Sequence, residues 1–338
     1  MSEKICKFAN NMTSHASHRP AHLGRSSSFY RLVVTNIYNK RPFSLLEQVD
    51  KLESKGLLLD DKKEAERFLF DVSYYRLRAY TYPFQDNSED GGHLFVEDDI
   101  RFAEIIDLYK FDRDLRFLVF NAIAKIEVSV RARMTQIYSD GTNCSHWFLD
   151  RNLYRCDFNR LVEDISADVS RSNEDFIKHY NNKYSEPRLP PCWMSLEVVS
   201  FGTLSRLYQS LKKDDNKKRL AQSYGITDIN VFENWLHAIS NLRNCCAHHG
   251  RIWNRRFMVN MVLPYNTLRQ FMNRDCLPTI KRNKLFPLLS AIKFLLDSID
   301  TSNDFKEILF SLLNRDIRLL SLHDMGFPSC WKQLPVWQ

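Results

Sequence analysis

Glycine is scarce in this chain, with nine residues in 338, where an average content of about 7% would supply more than twice as many. That shortage argues against β-rich folds with many tight turns and against glycine-rich phosphate loops. The corresponding fingerprints are missing as well. There is no G-x-G-x-x-G, no G-x-x-x-x-G-K-[ST], no H-E-x-x-H and no G-x-S-x-G, so dinucleotide enzymes, P-loop NTPases, zincins and α/β-hydrolases are poor readings. None of the eight cysteines forms a C-x-x-C pair, which removes a zinc ribbon. No run approaches the roughly 18 apolar residues of a membrane span, and the N-terminus lacks a signal-peptide core. The expectation is a cytoplasmic protein with reduced thiols, no membrane partner and no metal.

What is present is a normal globular balance, 44% hydrophobic and 26% charged, with 48 basic against 41 acidic side chains for a net +7. Such a length buries a large core without staples, and the mild basic excess permits a polyanionic partner. Residues 1–40 look different from the rest, and the stretch from Thr13 to Ser28, with His15, His18, Arg19, His22 and Arg25, has no apolar period. They read as a flexible arm, with nucleic-acid binding as the alternative. Ordered structure is expected from about residue 41. Ser44-x-x-Glu47 is a capping box ahead of Leu45, Val49 and Leu52 on one helical face, and Gly56 stops that helix. A second helix spans 61–71. The aromatics of 72–84 read as core packing rather than as a base-stacking platform. Residues 86–97 form an acidic loop. From Asp98 to about Tyr138 apolar residues recur at three- and four-residue steps, predicting one or two long helices ended by Gly141. Further helices are predicted over 157–184 (two), 203–212, from Asp228 onward, 284–298 and 304–312. The basic run 212–219 reads as a solvated loop, with RNA contact as the alternative. The fold class is therefore all-α.

Chemistry concentrates in residues 241–256, where four arginines, two histidines and three asparagines occur in sixteen residues without one acid. Only a polyanion is comfortable beside such a segment. At about 100° per residue, Asn244, His248, Arg251 and Arg255 share one stripe if the helix continues, and the stripe stops at His248 if Gly250 ends it. Imidazole exchanges protons near neutral pH, guanidinium grips phosphate, and Asn244 can orient either one. Together these groups suffice to cleave RNA without metal: a base takes the 2′-OH proton, the 2′-oxygen attacks phosphorus, and arginine stabilises the developing charge. The products would be a 2′,3′-cyclic phosphate and a 5′-hydroxyl. Arg243 and His248 stand about 140° apart on an ideal helix, so two copies about a two-fold axis focus them better than one chain does. Glu127 and Arg131, at i,i+4, read as a helix-surface pair, with Glu127 orienting Arg243 as the alternative.

Arg243-Asn244-Cys245-Cys246-Ala247-His248 resembles the R-x4-6-H motif of HEPN-type ribonucleases. The wider string LRNCCAHHGRIWNR resembles the signature of the bacterial AbiD/AbiF-like abortive-infection family. Segments 41–61, 70–84 and 190–208 and the helix around Lys125–Arg131 resemble that family in the same order. The resemblance implies an Abi-like helical domain over 41–315 containing a HEPN-like bundle at about 98–260, extra N- and C-terminal helices, and a tail over 316–338. It further implies a homodimer, no cofactor, an RNA substrate, a role in phage defence by growth arrest, and a partner non-coding RNA or neutralising protein. Arg243 and His248 then carry over as catalytic, with Asn244 in support. His249 and Glu127 stand as further candidates, and Arg251, Arg255 and Arg256 as RNA-binding residues. The alternative is a non-catalytic RNA-binding or protein-interaction HEPN module. A nucleotidyl-acceptor or antitoxin-like role is a third reading.

Overall fold

No β-ladder forms among the residues described by the computed structural model, 38–338, where only isolated bridges pair the backbone. The arm expected over 1–40 lies outside them except for its last three residues, and Phe43–Gln338 is one compact body. Its α-helices are α1 (Leu45–Glu53), α2 (Lys62–Val72), α3 (Tyr74–Thr81), α4 (Phe102–Thr142), α5 (Phe158–Arg171), α6 (Asp175–Lys183), α7 (Cys192–Val198), α8 (Phe201–Ser210), α9 (Asp215–Gln222), α10 (Ile229–Ala247), α11 (Leu285–Leu296) and α12 (Phe305–Leu313). The all-α class holds.

The stretch read as one or two helices is a single 41-residue helix, about 60 Å long at 1.5 Å per residue. Its buried stripe includes Ile105, Leu108, Leu115, Ile126 and Val130, and α3, α7, α9, α10, α11 and α12 all pack along it. Gly141 does not end it. The terminator is Asn143, in the left-handed region at φ 49°, a conformation asparagine tolerates better than other side chains.

Local signals account for most boundaries. Ser44 Oγ accepts from Glu47 N while Glu47 Oε2 accepts from Ser44 N, closing the capping box of α1. Ser200 caps α8, accepting from Thr203 N at 3.1 Å, so that helix runs two residues earlier than the apolar pattern suggested. Helix α7 follows Pro190-Pro191, prolines that read only as punctuation; Pro191 occupies the position just before its first turn, where a missing N–H costs nothing.

Two segments depart from expectation. The basic run 212–219 is not a solvated loop, because most of it forms α9. Lys217 is fully buried, its Nζ 2.6 Å from Glu233 Oε1 and donating to the carbonyls of Gln209 and Leu211. Residues 316–338 form short 3-10 turns that fold back, with Met325, Phe327, Trp331 and Trp337 in the core. No helix among the described residues is long and apolar enough to cross a membrane.

Candidate active site at the end of α10

Asp228 caps α10 by accepting from Asn230 N at 2.8 Å. Val231, Trp235, Ile239, Leu242 and Cys246 form its buried face, as their spacing predicts. The helix carries Arg243 and Asn244 on its last turn, stops at Ala247, and leaves His248 as the cap residue. His249 is left-handed at φ 56°, its N–H donating to Cys246 O at 3.0 Å while Gly250 N–H donates to Cys245 O at 2.8 Å. This pair of bonds is the Schellman arrangement that closes helix C-termini, with histidine where glycine usually sits.

The stop sorts the candidate residues. Asn244 and His248 are exposed on one side of α10, facing a cavity of about 420 Å³ that Asn241, Arg255 and Arg256 also line. His249 faces another, about 490 Å³, lined by Arg76, Arg113, Arg116, Phe117 and Phe120. Arg243 is on this second side. Its guanidinium stands 5.8 Å from the Phe120 ring centre, and its Nε lies 3.6 Å from Glu127 Oε2. Arg243 thus lies toward Phe120 and Glu127 rather than among the lining of the His248 cavity, although its Nη1 reaches back to donate to Asn244 Oδ1 at 3.4 Å. Because the helix does not continue, Arg251 and Arg255 leave the stripe. Arg251 turns inward, donating to the Ala79 carbonyl and lying 5.6 Å from the Trp253 ring centre. Arg255, exposed, donates to Arg251 O at 3.3 Å.

Glu127 departs from its first reading. The Glu127–Arg131 contact, 3.1 Å, is no surface pair, since Arg131 is 9% exposed and also donates to Leu196 O and Val199 O. The other carboxylate oxygen faces Arg243, so Glu127 bridges the core arginine to the motif arginine.

A network that sequence reading missed fixes the loop after the motif. Asp112, wholly buried on α4, accepts from Ile252 N at 3.1 Å and Trp253 N at 2.6 Å. Its other oxygen accepts from Tyr80 OH at 2.6 Å and from Arg116. Burial pushes the Asp112 carboxyl up from its ordinary value, against Arg116 and these donors. On Arg116, burial works against the charge, and Asp112 and Tyr80 outweigh it, so the guanidinium is held above its ordinary value. Arg76 Nη1 donates to His249 O at 2.7 Å, anchoring the turn from α3. The signal available in the sequence was a carboxylate on the apolar stripe of α4.

Burial pushes the Cys245 and Cys246 thiols up, Cys246 to about 12, which keeps both protonated and unsuited as nucleophiles. Among the described residues no three His, Cys, Asp or Glu side chains gather as a metal site.

An all-α body built on one long helix, with a basic, acid-free turn exposed at the end of a second helix, defines the class. The family model of the Abi-like proteins matches residues 67–254, from α2 through α10 to the loop beyond the motif. That is more than half of the chain, which belongs to this family. No curated protein and no solved structure matches it.

Proposed function

We infer that the chain is a HEPN-type, metal-independent endoribonuclease acting as an abortive-infection effector. The observation that carries this reading is the end of α10. There Arg243 is backed by Glu127, while His248 and Asn244 are exposed with no hydrogen bond from the imidazole to any described residue. His248 exchanges the protons of the 2′-hydroxyl and the leaving oxygen, Arg243 stabilises charge on phosphorus, and Asn244 orients either group. A homodimer brings the Arg243 of one copy to the His248 of the other. An exposed apolar stripe on α4, Phe117, Phe120, Ala124 and Val128, runs beside Arg243 and supports such a contact.

The test is a labelled hairpin RNA incubated with the purified chain in excess EDTA, beside a copy with 2′-deoxyribose at the cut. Cleavage of the first and survival of the second are expected, with His248→Ala lowering the rate about 10²–10⁴-fold and leaving the melting temperature unchanged. Activity lost in EDTA, or retained on the deoxy substrate, removes the mechanism. Tight, salt-dependent binding without any cleavage selects the non-catalytic reading. Light scattering that shows only active monomer removes the dimer.

A further inference from the structure

Four cations line a third depression beside the site. Arg251, Arg256, Lys281 and Lys284 line a cavity of about 650 Å³ together with Tyr82 and Asn254, and Asp324 is the one carboxylate residue on its wall. None of the four lies within 4 Å of a carboxylate among the described residues. The buried cations among the described residues are each paired, Lys217 with Glu233, Arg116 with Asp112 and Arg131 with Glu127. Here Lys284 Nζ donates to Asn254 Oδ1 at 3.0 Å, and Lys281 Nζ meets His323 Nε2 at 3.0 Å. Burial lowers the Lys284 ammonium from its ordinary value; Asp324 opposes this, and Arg256, Lys281 and Arg251 add to the lowering.

The cluster is held in place. Phe257 N donates to Asn283 O at 2.8 Å and Met261 N to Arg282 O at 2.9 Å, tying the 281–284 corner to the chain beyond the motif. Gly326, at φ +88°, lets the C-terminal segment lie on the lysine stem, since a Cβ there would stand 2.6 Å from Lys284 Cβ. Asn254, left-handed at φ 44°, presents its side chain to Lys284.

Four cations against a single carboxylate, paired with none of them, make a strong local field for anions. Arg256 borders both this basin and the cavity holding Asn244 and His248, so the two share a wall. A strand whose reacting phosphate lies at His248 meets Arg256 next. The geometry points to the basin as the seat of the backbone phosphates of single-stranded RNA flanking that position, with the partly exposed Tyr82 ring as a platform for a base. The path of the strand rests on the nuclease reading, whereas the binding itself does not require cleavage.

The experiment uses the full chain carrying His248→Ala, so that cutting does not obscure binding. A short labelled single-stranded RNA is titrated over a salt series, with and without Lys281→Gln/Lys284→Gln. The double variant is expected to bind about tenfold more weakly at low salt, with the slope of log K against log salt smaller by about 1.4, the loss of two single-strand phosphate contacts. Lys178→Gln/Lys183→Gln on α6, the same change in charge, should leave affinity and slope at the parent values. If the double variant does not fold, Lys281→Gln alone, at an exposed position, should lower the slope by about 0.7. A folded variant with parent affinity and slope overturns the inference. So does tripolyphosphate binding that the double variant loses while RNA affinity is unchanged, which makes the basin a small-anion site. RNA bound through Lys281 and Lys284 but never cut by the unmutated chain removes the nuclease and keeps the basin. RNA cut by a chain whose binding ignores both lysines does the reverse.

Discussion

Residues 212–219 carry five cations and residues 241–256 carry four arginines, yet the fold uses the two stretches in opposite ways. In the first, Lys217 goes inside to Glu233, its Nζ 4.9 Å from the Tyr208 ring centre, while Arg155 donates to both oxygens of that carboxylate. In the second, Glu127 meets Arg243 and no other arginine of the stretch, Asp112 is already filled by Arg116, Tyr80 and two backbone donors, and Asp324 stands on a cavity wall without pairing to any arginine of the stretch. A basic run thus becomes framework where a carboxylate is buried with it. It keeps cations without a carboxylate partner where the acids are absent or occupied. Charge density along the sequence does not separate the two cases; the availability of a counter-charge in space does.

Alkaline pH should strike the framework region hardest. Tyr138, Tyr154, Tyr208 and Tyr224 surround the first stretch, and burial raises each phenol, Tyr224 to about 12 and the others higher. Their folded values lie above the unfolded 10, so their stabilising contribution is complete below pH 10 and is lost as pH rises through the folded values. Each contributes about 1.4 kcal/mol per pH unit in that window, roughly 5 for the four together. Denaturant midpoints measured at pH 9, 10 and 11 should show a shallow fall followed by a steep one, and a flat profile would remove the argument.

Next in size is the buried pair. Glu233→Gln leaves Lys217 enclosed without a counter-charge and should cost about 3–5 kcal/mol in urea melts, with activity per folded molecule unchanged. A loss under about 1 kcal/mol would mean that the lysine escapes to water, and the contrast between the two stretches would weaken.

At the motif the expected effects are on rate. Glu127→Gln should lower kcat by up to about 100-fold through a misplaced Arg243, with KM little altered and partial recovery in Glu127→Asp. An unchanged kcat in a folded variant would confine Glu127 to the Arg131 contact.

The smallest change separates the two histidines. His249 occupies a left-handed position, so His249→Gly should stabilise the fold by about 0.5–1 kcal/mol while cleavage persists. Loss of cleavage as severe as in His248→Ala would instead make His249 the proton carrier, in the cavity on Arg243's own side of the helix.

Much of the fold was legible in the chain. The capping box at Ser44, the cap at Asp228, the apolar faces of α4 and α10, and the acid-free segment at 241–256 all follow from local chemistry, because helices are set by neighbours a few residues away. Illegible were α7, hidden behind two prolines that start a helix as readily as they end one, and the true stop of α4 at Asn143. The interior role of Lys217 was hidden as well, because its partner Glu233 lies on another helix.

The sequence by itself determined an all-α chain, the identity of the motif residues, and the angular gap between Arg243 and His248, since all three depend on composition and helical period. Tertiary structure alone decided that Glu127 meets Arg243 and that Asp112 pins the loop after the motif. It also decided that Lys281 and Lys284 come beside Arg251 and Arg256. Each of these pairings joins residues distant along the chain, and no local rule fixes which buried carboxylate reaches which cation until the helices have packed.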